Sequence, residues 1–110
     1  MAKVDRIQDE KLRESMKAAH ASLRAGDHRD VVQRSGEAYL ELLRRKPELL
    51  EGEGMLPRMR IWMFPRLGAH LELDGSEKPS HIAFDREEFG FTEAVTYYEF
   101  AVDNLVREGL

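Results

Sequence analysis

Apolar residues recur at three- and four-residue steps through the first half of the chain, and Leu12, Met16, Ala19 and Leu23 form one such stripe. Neither proline nor glycine interrupts it, so the spacing predicts a first helix over about 4–25. "AGD" follows. Gly26 suits the left-handed position just past a helix C-terminus, and Asp27 suits the N-cap of the next helix. A connection this short makes neighbouring helices antiparallel. The second helix is expected over 27–46, with Val31, Val32, Ser35, Ala38, Tyr39, Leu42 and Leu43 on its inner face. Its last turn carries Arg44, Arg45 and Lys46, where the helix dipole favours cations, and Pro47 stops it. Gly36 in its middle costs about 1 kcal/mol against alanine, which points to a close helix approach.

"PELLEGEGMLP" reads as a linker whose Leu49 and Leu50 tuck against the helices. Pro57 suits the first turn of a third helix, expected over 57–73. Met59, Met63, Leu67 and Leu71 stripe it at four-residue spacing, Trp62 and Phe64 flank the stripe, and Pro65 kinks it. Residues 74–84 read as a loop, followed by a short helical turn near 85–89. A last helix over 91–107, capped by Thr92, would bury Phe91, Val95, Tyr98, Val102 and Leu105. The Tyr97–Tyr98 pair puts one ring in the seam and the other toward solvent or a partner. With no convincing alternation of a strand, the expected fold is a single all-α domain over 1–110, an antiparallel four-helix bundle.

Composition narrows the function more than the fold. The chain contains no cysteine, which removes disulfide frameworks, thiolate metal sites and cysteine nucleophiles together, and fits a reducing compartment. Its beginning, "MAKVDRIQDEKLRESMK", lacks the apolar core of a signal peptide, and no apolar run is long enough to cross a bilayer. A cytoplasmic protein without membrane contact is the expectation. The net charge of −4 disfavours a whole-protein grip on nucleic acid. The charge is nevertheless uneven: residues 55–71 carry only positive side chains, while 72–93 is acidic. A basic helix lying against an acidic neighbour is the plainer reading of that asymmetry.

The candidate chemistry is concentrated in "RMRIWMFPRLGAHLEL". On the expected helix Arg66 and His70 share a face one turn apart, inside the apolar arc between Trp62 and Leu71. A guanidinium there needs a partner, because an unpaired buried charge costs several kcal/mol. Glu99 on the last helix is the best carboxylate, giving a structural Arg66–Glu99 ion pair with His70 hydrogen-bonded beside it. The chemical alternative is a small site in which Arg66 binds a phosphodiester and His70 moves a proton, with Arg60 assisting. The ion pair is preferred, since structural pairs also gather charges inside bundles. Trp62 and Phe64 suit base stacking, but beside Met59 and Met63 they fit a core or a dimer interface better. The expected contact surface comprises Met59, Trp62, Met63, Arg66, His70 and Tyr98. Arg58 remains a solvated flank.

Other chemistries lack their residues. A di-iron bundle wants glutamate three residues before an inward histidine. The residues so placed are Lys17, Ala25, Leu67 and Lys78. No zinc-protease HExxH, phosphate loop or GxSxG elbow occurs, and no serine has a nucleophile context. Neither a metal nor a cofactor is expected.

"LRAGDHRDVVQRSGEAYLELLRRKP" and "FTEAVTYYEFAVDNLV" together resemble the small helical domains known as HEPN, in an order spanning nearly the whole chain. The resemblance implies a bundle of four or five helices, a tendency to dimerise, and roles in RNA processing, toxin–antitoxin pairs or partner binding. Ribonuclease members place an arginine and a histidine near the last helix with four to six residues between them. Here Arg66 and His70 have three residues between them and fall on the helix before. Residues 19–47 also resemble the turn and second helix of a tetratricopeptide repeat, though no second copy follows at the repeat period. The expected function is therefore a non-catalytic bundle acting through protein–protein contact as a homodimer. The alternative is a degenerate HEPN-type RNA- or nucleotide-binding, nuclease-like domain using Arg66 and His70.

Overall fold

The computed structural model describes residues 2–48 and 88–110 in full, and residues 60–64, 69–73 and 79–84 as backbone. The element order is a 3-10 turn at Lys3–Arg6, α1 (Glu10–Ala25), α2 (His28–Arg45), β1 (Arg60–Phe64), β2 (Ala69–Leu73), β3 (Pro79–Phe84) and α3 (Phe91–Arg107). The chain divides into two compact units, one of residues 1–39 with 88–110 and one of residues 40–87.

The first unit is all-helical. Its first helix is shorter than the apolar stripe predicts, because Asp9 caps it: the Asp9 carboxylate accepts from the Leu12 amide at 2.9 Å. A side chain that satisfies one of the orphan donors of a helix start fixes that start there. The preceding residues turn back as a 3-10 segment whose Val4 and Ile7 are buried. The Arg13 guanidinium donates to the Ile7 carbonyl at 3.0 Å and holds this entry against α1.

At the other end of α1, Gly26 has φ 84° and its amide reaches back to Leu23 at 3.3 Å. Nothing lies within 4 Å of where a Cβ would stand, so conformation and not space calls for glycine. Asp27 caps α2 as its place in the sequence suggests, accepting from the Asp30 amide at 3.2 Å. Leu12, Met16 and Ala19 of α1 and Val31, Val32, Ser35 and Ala38 of α2 are buried, as the helical spacing predicts.

The last helix has the predicted bounds, and Val102 and Leu105 of its expected stripe are buried, but the rest of the buried face differs. Ala94, Tyr97, Ala101, Val102, Asn104 and Leu105 are buried, whereas Phe91 is 59 % exposed and Val95 and Tyr98 are only half-covered. The inward stripe thus runs through Tyr97. Two alanines explain the choice: Ala94 and Ala101 flank Tyr97 and let neighbouring backbone approach a face that carries one large ring. The cap also differs from the expectation at Thr92. Gly90 is the N-cap, and the Glu93 carboxylate accepts from the Gly90 amide at 3.0 Å. Asn104, polar and buried, donates to the Phe100 carbonyl at 2.7 Å and accepts from Arg107.

The second unit overturns the helix expected over 57–73 at residues 60–64 and 69–73, and the loop expected over 74–84 at residues 79–84; the rest of both spans lies outside the described residues. β1, β2 and β3 form an antiparallel meander in that order. Trp62 pairs with His70, which pairs in turn with Ala83. Arg60 is level with Glu72 and His81, and Ile61 with Leu71 and Ile82. Register shifts at Trp62/Phe64 and at Glu72/Leu73 mark bulges. The physical reason lies in the residue types. β-Branched and aromatic side chains in "RIWMF" and "SHIAF" favour extended backbone, while Pro65 and Gly68 disfavour a continuous helix between β1 and β2. Of the four-residue recurrence, Met63 lies on β1 and Leu71 on β2, while Met59 and Leu67 lie outside the described residues. The expected turn at 85–89 falls largely outside the described residues, as does the linker carrying Leu49 and Leu50.

Candidate contact groove

Within the helical unit, the N-terminal 3-10 turn, α1 and α3 enclose an open groove of about 350 Å³. Its lining is mostly apolar: Val4 and Val102 contribute aliphatic surface, and the rings of His20 and Tyr98 form one side. Those rings meet at 5.7 Å between centroids, tilted by 43°. Helical spacing explains the α3 contribution, because Tyr98 and Val102 are one turn apart on the margin of the buried face, as are Glu99 and Asp103 beside them.

The rim is charged. Lys3 meets Asp103 at 2.8 Å, and just outside the groove Lys17 meets Asp5 at 3.5 Å. Both pairs are half-exposed, so each contributes about 0–1 kcal/mol and mainly fixes where charge sits. Glu99 lies four residues before Asp103, a like-charge arrangement that disfavours the helix slightly unless a cation intervenes. Lys3 compensates Asp103, and among the described residues Glu99 forms no ion pair. Burial pushes the Tyr98 phenol upward, and the nearby Asp5 carboxylate pushes it the same way. Tyr98 therefore stays a neutral hydroxyl at physiological pH, a hydrogen-bond donor to whatever enters.

The His20 ring packs against Tyr98 in a groove that Glu99 and Asp103 also line. Among the described residues, no group of three or more histidine and carboxylate side chains is placed to hold a metal. No described helix is long and apolar enough to cross a membrane.

The residues singled out from sequence belong to different elements. Tyr98 lines the groove, and Glu99 stands on its rim. Trp62 and Met63 belong to β1 with Arg60, and His70 to β2. Met59 and Arg66 fall outside the described residues, and with Arg66 the expected Arg66–Glu99 pair. His70 is in the central strand of the sheet and not on the expected helix. Sequence reasoning missed His20, Lys3, Val4 and Asp103. Glu99 and Asp103 at one-turn spacing next to Tyr98 and Val102 are the signal available on α3. His20 and Lys3 join them only through the fold.

Comparison with known protein families, with curated proteins and with solved structures finds no match for this chain.

Proposed function

We propose that this chain is a contact module without catalysis of its own, which acts by binding protein and first of all a second copy of itself in the cytoplasm. The observation that carries this reading is the groove: mostly apolar walls, a charged rim, and a phenol held as a neutral donor. An apolar centre with a polar rim is the anatomy of protein interfaces, and aromatic residues are enriched there. The HEPN-like reading accords with it, because the hairpin of α1 and α2 and the final α3 occur in the expected order and such domains tend to dimerise. The nuclease-like alternative drew on a helix expected to carry both Arg66 and His70, and His70 lies on β2.

Light scattering over a concentration series, with and without a short RNA, tests the proposal. A mass that rises from monomer to dimer and ignores RNA supports it. A monomer at every concentration, or a mass that shifts only on adding RNA, overturns it.

A further inference from the structure

We propose that the groove between the 3-10 turn, α1 and α3 is a receptor for a basic side chain, an arginine or lysine presented by a partner's polypeptide segment with apolar neighbours. The inference deepens the contact reading by naming what the groove recognises, and it rests on that reading only for the partner being a protein.

Three observations converge on a cation. First, Glu99 and Asp103 are like charges one turn apart, and Lys3 compensates Asp103 alone. A second cation seated beside Glu99 would complete the alternation of charge along this rim, so the site complements a positive group and repels a negative one. Second, Tyr98 presents an aromatic ring with His20 along one side, and tyrosine faces attract guanidinium and ammonium groups. Third, Val4 and Val102 offer aliphatic surface within the same groove. Arginine and lysine carry several methylenes below the charged head and bury that stem along apolar surface while the head reaches a polar rim.

The other charges nearby do not defeat this. Lys3 and Lys17 are each paired with a carboxylate, at 2.8 Å to Asp103 and 3.5 Å to Asp5. Among the described residues, the charged groups facing the groove and its margin are thus three carboxylates and two lysines beside His20, and no cation is paired with Glu99. A bare metal ion fits less well, because it wants several oxygen ligands converging, and the lining is mostly apolar. An acidic or phosphorylated segment would meet Glu99 as a like charge.

The experiment is a nuclear magnetic resonance titration of the full chain with a short synthetic peptide carrying one arginine between two leucines. Two control peptides replace that arginine with its neutral isostere citrulline or with glutamate. Light scattering on the same samples places the titration in the monomeric concentration range. Signals of His20, Tyr98 and Val102 should move with the arginine peptide and hardly with either control. Glu99→Gln, an exposed change outside the core, should weaken the arginine peptide about tenfold, as expected for loss of one charge-assisted hydrogen bond. Glu99→Lys should abolish the effect while the remaining spectrum stays folded.

Equal binding of the arginine and citrulline peptides overturns the proposal. So do an unchanged affinity in Glu99→Gln and shifts that map away from the groove. A chain that never dimerises yet binds the arginine peptide through Tyr98 keeps this inference and removes the self-association reading. A dimer whose groove signals ignore the peptide in its monomeric range does the reverse.

Discussion

The Ser22 hydroxyl donates to the Asp30 carboxylate across 2.5 Å, joining the last turns of α1 to the first turn of α2. The same Asp30 oxygen accepts from the Arg34 Nε at 2.8 Å, so one carboxylate closes the helical hairpin and anchors its own helix. Ser22 holds the Asp30 carboxyl below its ordinary range as the largest influence; partial burial opposes it, and Arg34 reinforces it. A folded-state pKa below the unfolded value means that the carboxylate stabilises the fold above the unfolded value. That contribution fades as pH falls from about 3.8 through the folded-state pKa. Asp30→Asn should therefore be destabilised at neutral pH by about 1–2 kcal/mol, with a gap to the parent that narrows below pH 3.8. Urea unfolding at several pH values checks it, and a gap that is constant with pH would refute the linkage.

Tyr97 and Tyr98 are neighbours in sequence with opposite surroundings. Tyr97 is 1 % exposed and stands edge-on to Phe89 at 6.4 Å, whereas Tyr98 is half-covered in the groove. Truncating a buried ring costs about 3–5 kcal/mol, so Tyr97→Ala should approach loss of the fold, while Tyr98→Ala should cost less than half as much. Chemical denaturation of both variants decides which tyrosine faces inward.

The Ser35 hydroxyl is buried on α2 and, among the described residues, has no hydrogen-bond partner. A buried polar group left unpaired costs about 1–3 kcal/mol, and alanine nearly matches serine in size. Ser35→Ala should be neutral or stabilising, read as an unchanged or raised melting temperature. A clear drop would mean that the hydroxyl finds a partner in solution.

Gly26 adopts φ 84° with open space around it. Gly26→Ala should cost about 1–2 kcal/mol through the left-handed backbone alone. Gly26→Asn should cost less, because asparagine tolerates that region. Thermal unfolding of the two variants separates conformation from packing: equal losses would point to a contact and away from φ.

The strands make a direct prediction against the helical reading of residues 57–73. Carbon chemical shifts of residues 60–64, 69–73 and 79–84 should fall on the extended side of their random-coil values. Close backbone proton contacts should join Ile61 to Leu71 or Trp62 to His70. Helical shifts across Pro65 would exclude the sheet.

Where the sequence carries a local signal with one physical solution, it is legible. Gly26 followed by Asp27 leaves a helix end and a helix start as the natural outcome, and both groups do what their chemistry allows. The stripe from Leu12 to Ala19 and the run from Val31 to Leu43 are long enough for helical periodicity to dominate. Asp9 carried the same kind of cap signal, masked by helical spacing that continues through it. Of the groove, Tyr98 and Glu99 are reachable from the α3 pattern, while His20 and Lys3 are brought there from other elements.

By itself, then, the sequence determines the three helices and the hairpin turn, because periodicity and caps act over a few residues. It also determines that thiol chemistry is absent, because no cysteine exists to carry it. Only the tertiary structure decides between Tyr97 and Tyr98, since both lie within one apolar arc and the small residues of α3 set which side packs closest. Only the tertiary structure makes strands of residues 60–64 and 69–73, where helical spacing and strand-forming side chains compete and cross-strand pairing tips the balance. The groove belongs to the same class, because its walls meet only when the 3-10 turn, α1 and α3 come together.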